Sequence, residues 1–278
     1  MSLDFFGAFL LVNNFLVLNF IKHQKSNKKK SSSEKILINK MFAFSLDTEE
    51  NEAQIITYID DVKNIESHRT NLGYREVRLI GVKNTENLKS EIENAIKLYD
   101  NNGFIHMLDK DKLTVTSTFI SNIRIIKSEK NNITLNGNVW FKPKGFHKVW
   151  KMFLNNEITE KNAWKKLDKD ELQGWIVFAG CIRKPQIDRE NIKIQLDGND
   201  FHNLDEFYCA LGEEVNGIAG YFGRQLPALY DCLCGDFGVK SIAEITWHNH
   251  QRSKKLLKLN FDRIINLFKE FNINIILK

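Results

Sequence analysis

Proline is scarce in this chain, with three residues in 278. Glycine numbers only 15, and 42% of the residues are hydrophobic. Those values exclude a disordered, collagen-like or low-complexity protein. The length suits one large domain or two ordinary ones, with enough chain to bury a core. Cysteine is sparse as well. Cys181, Cys209, Cys232 and Cys234 have no disulfide-scaffold spacing, which fits a reduced, cytoplasmic protein. Residues 41–185 carry no P-loop, dinucleotide, metal-ligand or triad pattern. Nothing there supports an enzyme, and no cofactor is expected.

A long apolar run is nearly missing too. Residues 5–21 are apolar apart from Asn13, Asn14 and Asn19. Their length is at the lower limit for a spanning helix. No basic residue precedes the run and no small-residue cleavage pattern follows it, which argues against a secretory signal. Two readings of residues 1–40 stand. They are an over-extended start, or a weak anchor whose trailing lysines would keep the remaining chain in the cytoplasm. A membrane is not the expected partner.

The chain carries 40 Lys+Arg against 35 Asp+Glu, a formal net charge of +5. Such a balance invites polyanion binding. Its location removes that inference. Seven lysines and two acids in residues 1–40 account for the whole excess, leaving 33 bases and 33 acids in residues 41–278. The body has no global basic field, so direct nucleic-acid binding is not expected.

Residues 41–186 read as a mixed α+β accessory domain. Phe42–Leu46 and residues 53–59 have the look of short strands, and residues 74–80 alternate polar and apolar. Leu88, Ile92, Ala95, Ile96 and Tyr99 recur at helical spacing, with Thr85 placed to cap. Gly103–Leu108 and residues 113–119, 123–126 and 133–135 read as strands. Phe146–Leu154 and residues 160–167 read as helices, and residues 175–180 as a buried strand. Trp140, Trp150, Trp164 and Trp175 are expected in the core. Pro185 and the polar residues 186–191 mark the candidate boundary.

Residues 190–278 are more regular. Ile192, Ile194 and Leu196 alternate before Asp197-Gly198, a strand and a turn. Asn203 with Glu206 has capping-box spacing, ahead of the stripe Leu204, Phe207, Tyr208 and Leu211. Gly217, Gly220 and Gly223 surround Tyr221-Phe222 in a loop. Leu226, Leu229, Tyr230 and Leu233 form a second helix, with Pro227 in its first turn and Gly235 as its stop. Residues 242–247 read as a strand. Leu257 to Phe271 reads as one long amphipathic helix, and residues 272–277 as a closing strand. The order β-α-α-β-α-β implies a small parallel sheet with packed helices. Asp231 lies about 200° around its helix from Leu229, and so should point to solvent. Cys232 and Cys234 sit about as far apart in angle, so C-x-C with His248 and His250 is not expected to hold a metal.

Charge is polarised here. Residues 197–236 hold eight acids against Arg224 alone, a net −7, while residues 237–278 carry +5. An acidic face with exposed aromatics and a glycine loop suits occupation of a basic, phosphate-binding cleft.

These residues carry a specific resemblance. Ile194 to Gly198, Leu204-Asp205-Glu206-Phe207-Tyr208 and the run from Tyr221-Phe222-Gly223-Arg224 through Ala228-Leu229-Tyr230-Asp231-Cys232-Leu233 resemble the barstar family. So do Ile245-Thr246-Trp247 and Phe268-Lys269-Glu270. Members of that family are intracellular inhibitors of secreted ribonucleases. The resemblance implies an α/β fold: a C-terminal barstar-like three-stranded parallel sheet with packed helices, here preceded by the mixed α+β accessory domain. It implies a loop and second helix that plug a nuclease cleft, with Asp231 as the central acid, Tyr221 as the loop tyrosine and Glu270 on the later helix. Tyr230 stands where the family usually has tryptophan. Gly223 and Arg224 belong to the same loop. Pro227 replaces a frequent acid, and Asp236 replaces an aromatic, so a different target from barnase itself is expected. The partner implied is a cognate secreted ribonuclease or nuclease toxin, with the chain acting as an immunity protein or antitoxin. The alternative is a scaffold or regulatory binding protein that reuses a barstar-like docking domain.

Overall fold

Strand patterning in the first half closes into one antiparallel sheet. The computed structural model describes residues 41–47, 54–67, 72–98, 101–140, 142–183 and 187–278. The readings of residues 1–40, Tyr99 and Pro185 lie outside them. The first sheet contains β1 (Phe42–Leu46), β2 (Ile55–Ile59), β3 (Asp61–Lys63) and β4 (Leu72–Ile80). After α1 (Thr85–Lys97) come β5 (Gly103–Leu108), β6 (Thr114–Glu129) and β7 (Asn132–Trp140). Its order is β2-β1-β5-β6-β7-β4-β3.

Alternation in β4 is as expected, with Val77 and Leu79 buried and Tyr74, Glu76 and Arg78 exposed. The two strands expected at 113–119 and 123–126 are one strand, β6. Its pairing with β7 shifts between Ser121 and Arg124, and Asn122 takes φ 55°. That bulge lets Ile120 and Ile123 both reach the core, which breaks the period of two that a sequence reader follows. Asn84, not Thr85, caps α1: its side chain accepts from the Asn87 N–H at 3.2 Å.

Residues 175–180 are helical, not extended. They lie in α3 (Leu172–Ile182), which packs on α2 (Phe146–Leu154) and on β6. Leu172, Trp175, Ile176, Phe178 and Ala179 are all buried, so the segment is apolar around most of its circumference. Such a helix has no polar stripe to reveal its period. Residues 160–167 form only a single 3-10 turn, Ala163–Lys166. Trp150, Trp164 and Trp175 are core residues, and Trp140 is half-buried.

The second sheet is parallel, with order β10-β9-β8. It comprises β8 (Ile192–Asp197), β9 (Ile242–His248) and β10 (Asn274–Leu277). Between β8 and β9 run α4 (Leu204–Asn216) and α5 (Leu226–Leu233). The long helix expected before β10 is divided into α6 (His250–Leu257) and α7 (Leu259–Glu270), because Lys258 adopts φ 53°. Asn203 caps α4 by accepting from the Glu206 N–H at 3.0 Å. The return arm of that box reaches one residue further back, where Glu206 accepts from the His202 N–H at 2.7 Å. Trp247 centres the core of this half. Phe207 stacks on it at 5.6 Å, Phe261 lies 5.0 Å away, and its Nε1–H donates to Ser253 Oγ at 2.9 Å. Among the described residues, no helix is long and apolar enough to cross a membrane.

Candidate protein-binding surface

Helix α5 and its flanking loops place the residues singled out from the sequence. Ala228, Leu229, Cys232 and Leu233 turn inward and are buried. Tyr230 is therefore displaced outward and is 49% exposed. Its ring meets Phe271 edge-on at 5.3 Å, and the adjacent Glu270 is exposed. Asp231 is half-buried rather than fully turned to solvent. The structure thus brings Tyr230, Asp231, Glu270 and Phe271 to one area where α5 and α7 pack together.

The loop before α5 depends on Gly223, whose φ is +90°. A Cβ there would lie 2.9 Å from the Leu229 backbone, so glycine alone allows the loop to close on α5. The Gly223 N–H also faces the Cys232 sulfur. Burial raises the Cys232 thiol pKa, and this N–H acts in the opposite direction. Cys234 is exposed, so the two thiols of the C-x-C pair occupy different environments. Arg224 is half-buried, and burial lowers its pKa against the field of Tyr221.

Tyr221 lies elsewhere than on an open rim. It is only 6% exposed, and burial raises its phenol pKa. Its ring packs beside Phe237 and beneath Gly180 of α3, where an added Cβ would be 3.4 Å from Tyr221 Cδ2. The accessory region thus supplies one wall of the loop.

Asp236 is exposed in a left-handed turn, with φ 65°. Four side chains that sequence reasoning missed hold this turn. Asp188 accepts from the Asp236 N–H at 2.6 Å and from the Gly238 N–H at 2.8 Å. Arg189 donates to the Gly238 carbonyl at 3.0 Å. Arg183 Nη1 donates to the Asp236 carbonyl at 2.5 Å, and its guanidinium lies 4.5 Å over the Phe237 ring. Asn216 Nδ2 ties both loops together by donating to the Tyr221 carbonyl at 2.8 Å and the Phe237 carbonyl at 3.0 Å. Asp188 and Arg189 fall in the polar stretch read as a boundary, and no local pattern marks them as loop anchors.

The acidic count of residues 197–236 also divides spatially. Glu213 is 2% exposed and faces the accessory region. Its Oε2 accepts from the Asn162 N–H at 2.7 Å and Trp164 Nε1–H at 3.0 Å, and its Oε1 accepts from the Ala219 N–H at 3.1 Å. Asp205 accepts from Gln173 at 2.7 Å, and Glu214 pairs with Lys161 at 3.0 Å. These acids join the two regions. Asp200 also pairs with Lys165 of the accessory region at 3.7 Å, while Asp197 accepts from Asn249 and Glu206 pairs with His202, which leaves Asp231 and Asp236 beside α5 with Glu270.

Residues 192–277 thus form a parallel three-stranded α/β unit that carries an acidic and aromatic surface. Its family follows from comparison with known proteins. A family model described as "Barstar (barnase inhibitor)" matches residues 192–275. A protein of Bacillus subtilis (strain 168), named "Putative ribonuclease inhibitor YrdF", is 42% identical over 43 residues. The match spans 16% of this chain and 46% of that protein, so the chain covers less than half of the curated relative's length. Residues 192–275 are a barstar-family segment within a longer chain. Members of the family are inhibitors, not enzymes.

Proposed function

We propose that the chain is a protein inhibitor of a cognate ribonuclease and acts by filling its active-site cleft with the α5 surface. One observation carries this reading: the half-exposed Tyr230 ring sits on Phe271 within a barstar-family segment, with Asp231 and Glu270 beside it. A ribonuclease cleft must offer cations to phosphates. Carboxylates around an exposed aromatic offer the matching charge and an anchor that excludes water. Occupancy alone blocks the enzyme, so no nucleophile or cofactor is needed. Tyr221 contributes by shaping the loop beneath Gly180, Gly223 sets the backbone turn that leads into α5, and Arg224 is the loop's cation at the partner surface.

The setting that fits is self-protection in the cytoplasm, as immunity to a secreted nuclease toxin. Association would be electrostatically steered and fast at low salt. The same reading divides the chain into a leader (1–40), an accessory domain (41–186) and an inhibitor domain (190–278). Co-expression with toxic microbial ribonucleases tests it. The chain should restore growth against its cognate enzyme, and Asp231→Ala should weaken the rescue. Loss of the reading follows if the chain rescues no such host and Asp231→Ala changes nothing it does.

A further inference from the structure

The accessory region does more than support the inhibitor fold. It ends in a cation at the border of the acidic surface. Arg183 follows α3 directly, and its guanidinium lies 4.5 Å over the Phe237 ring with one donor on the Asp236 carbonyl. Its charge acts on both Tyr221 and Cys232, the same two groups on which Asp231 acts. Arg183 is thus a cation fixed against the turn that carries the exposed Asp236, within the field of the loop and helix that carry Tyr221 and Asp231. The guanidinium has five N–H donors, and among the described residues it gives one hydrogen bond, to the Asp236 carbonyl, so it has the capacity to engage an acceptor on a partner as well. The planar group is already immobilised by the ring and the carbonyl, which lowers the entropic cost of using it at an interface.

We propose that Arg183 is a specificity residue of the partner surface: it disfavours ribonucleases that present a cation opposite it and favours those that present a carboxylate or carbonyl there. This rests on the inhibitor reading above. The physical reason is simple. A cleft built for phosphates is rich in cations, and a fixed cation on the inhibitor repels any that it meets. Acids alone would match many such clefts. One immobile base among them narrows the choice to an enzyme with an acceptor at that point.

The Asp236 turn remains anchored without Arg183, because Asp188, Arg189 and Asn216 hold it independently. Arg183→Gln and Arg183→Glu in the full chain therefore change charge while the loop stays formed, which thermal unfolding and circular dichroism check directly. Barnase, the ribonuclease in the family's description, serves as the probe. Stopped-flow association at low salt should be slowest for the wild type, faster for Arg183→Gln and fastest for Arg183→Glu. The ends of that series should differ about tenfold, and the difference should collapse in high salt. A loop-holding role alone would slow both variants or change neither, and would not follow salt. Equal rates, the reverse order, or an order that survives high salt overturns the proposal. If Arg183 variants are silent while Asp231→Ala still weakens inhibition, the inhibitor reading survives and this proposal does not.

Discussion

Removing the Glu213 carboxylate should unlock the two regions of the chain. Glu213 is buried and accepts three N–H donors, from Asn162, Trp164 and Ala219. In Glu213→Ala, those donors lose a charged acceptor in a place that water does not readily reach. Each unsatisfied group costs about 1–3 kcal/mol, and relaxation of the 162–164 turn recovers part of the sum. A total loss of about 3–5 kcal/mol is expected, the range found when one member of a buried charged network is removed. Urea unfolding followed by tryptophan fluorescence measures it, because Trp164 reports on the same contact. Trp164→Phe removes one donor and should cost about 1–2 kcal/mol on its own. The double substitution should cost at least about 1 kcal/mol less than the two single losses added, since they share a partner. A Glu213→Ala loss below about 1 kcal/mol, or full additivity, refutes this account of the junction.

Two further outcomes follow from other parts of the molecule. His106 is buried between Ser45 and Ser117, with 2.8 Å contacts to both hydroxyls, and burial lowers its pKa from 6.5 to about 4. The unfolded chain then takes up the proton first as pH falls. Stability should drop between pH 6.5 and about 4 and level off below, by about 3 kcal/mol for this one histidine. Unfolding midpoints measured across that window, with His106→Gln for comparison, test it; a flat wild-type profile contradicts the neutral buried imidazole. Gly223→Ala should cost about 1–3 kcal/mol, because an L-residue at φ +90° is strained and its Cβ meets Leu229 at 2.9 Å. The same substitution should weaken ribonuclease inhibition by displacing the loop. Unchanged stability and inhibition together would show that the loop tolerates a side chain there.

Much of the C-terminal fold was legible because its signals are local. Asn203 caps α4 as spaced, Gly235 stops α5 at φ +115°, and alternation in β8 puts Ile194 and Leu196 inside. The break at Lys258 was hidden, since Leu257 and Phe261 keep helical spacing across it. The accessory region was harder to read. A helix buried on most sides, as α3 is, shows the same unbroken apolar run as a buried strand. The bulge at Asn122 shifts the alternation by one residue and makes one strand resemble two. The candidate surface was legible in its members and not in its arrangement. Asp231, Tyr230 and Glu270 could be placed from helix geometry and resemblance. The cover over Tyr221 comes from Gly180, some 40 residues earlier in the chain, and no local pattern encodes it. Net charge misled for a similar reason: Asp205, Glu213 and Glu214 count as acids in sequence, yet Gln173, Trp164 and Lys161 use them to join the two regions.

The inhibition constant of the full chain against its cognate ribonuclease, compared with that of Asp231→Ala, tests the central claim most directly. Truncating an interfacial charge that meets a basic cleft should weaken binding by at least about 2 kcal/mol, roughly 30-fold. The wild-type constant should rise steeply with salt and the variant's less so, with inhibition competitive against RNA in both. An Asp231→Ala variant that inhibits as tightly as the wild type, or inhibition that RNA does not compete with, would contradict active-site occupation by the α5 surface.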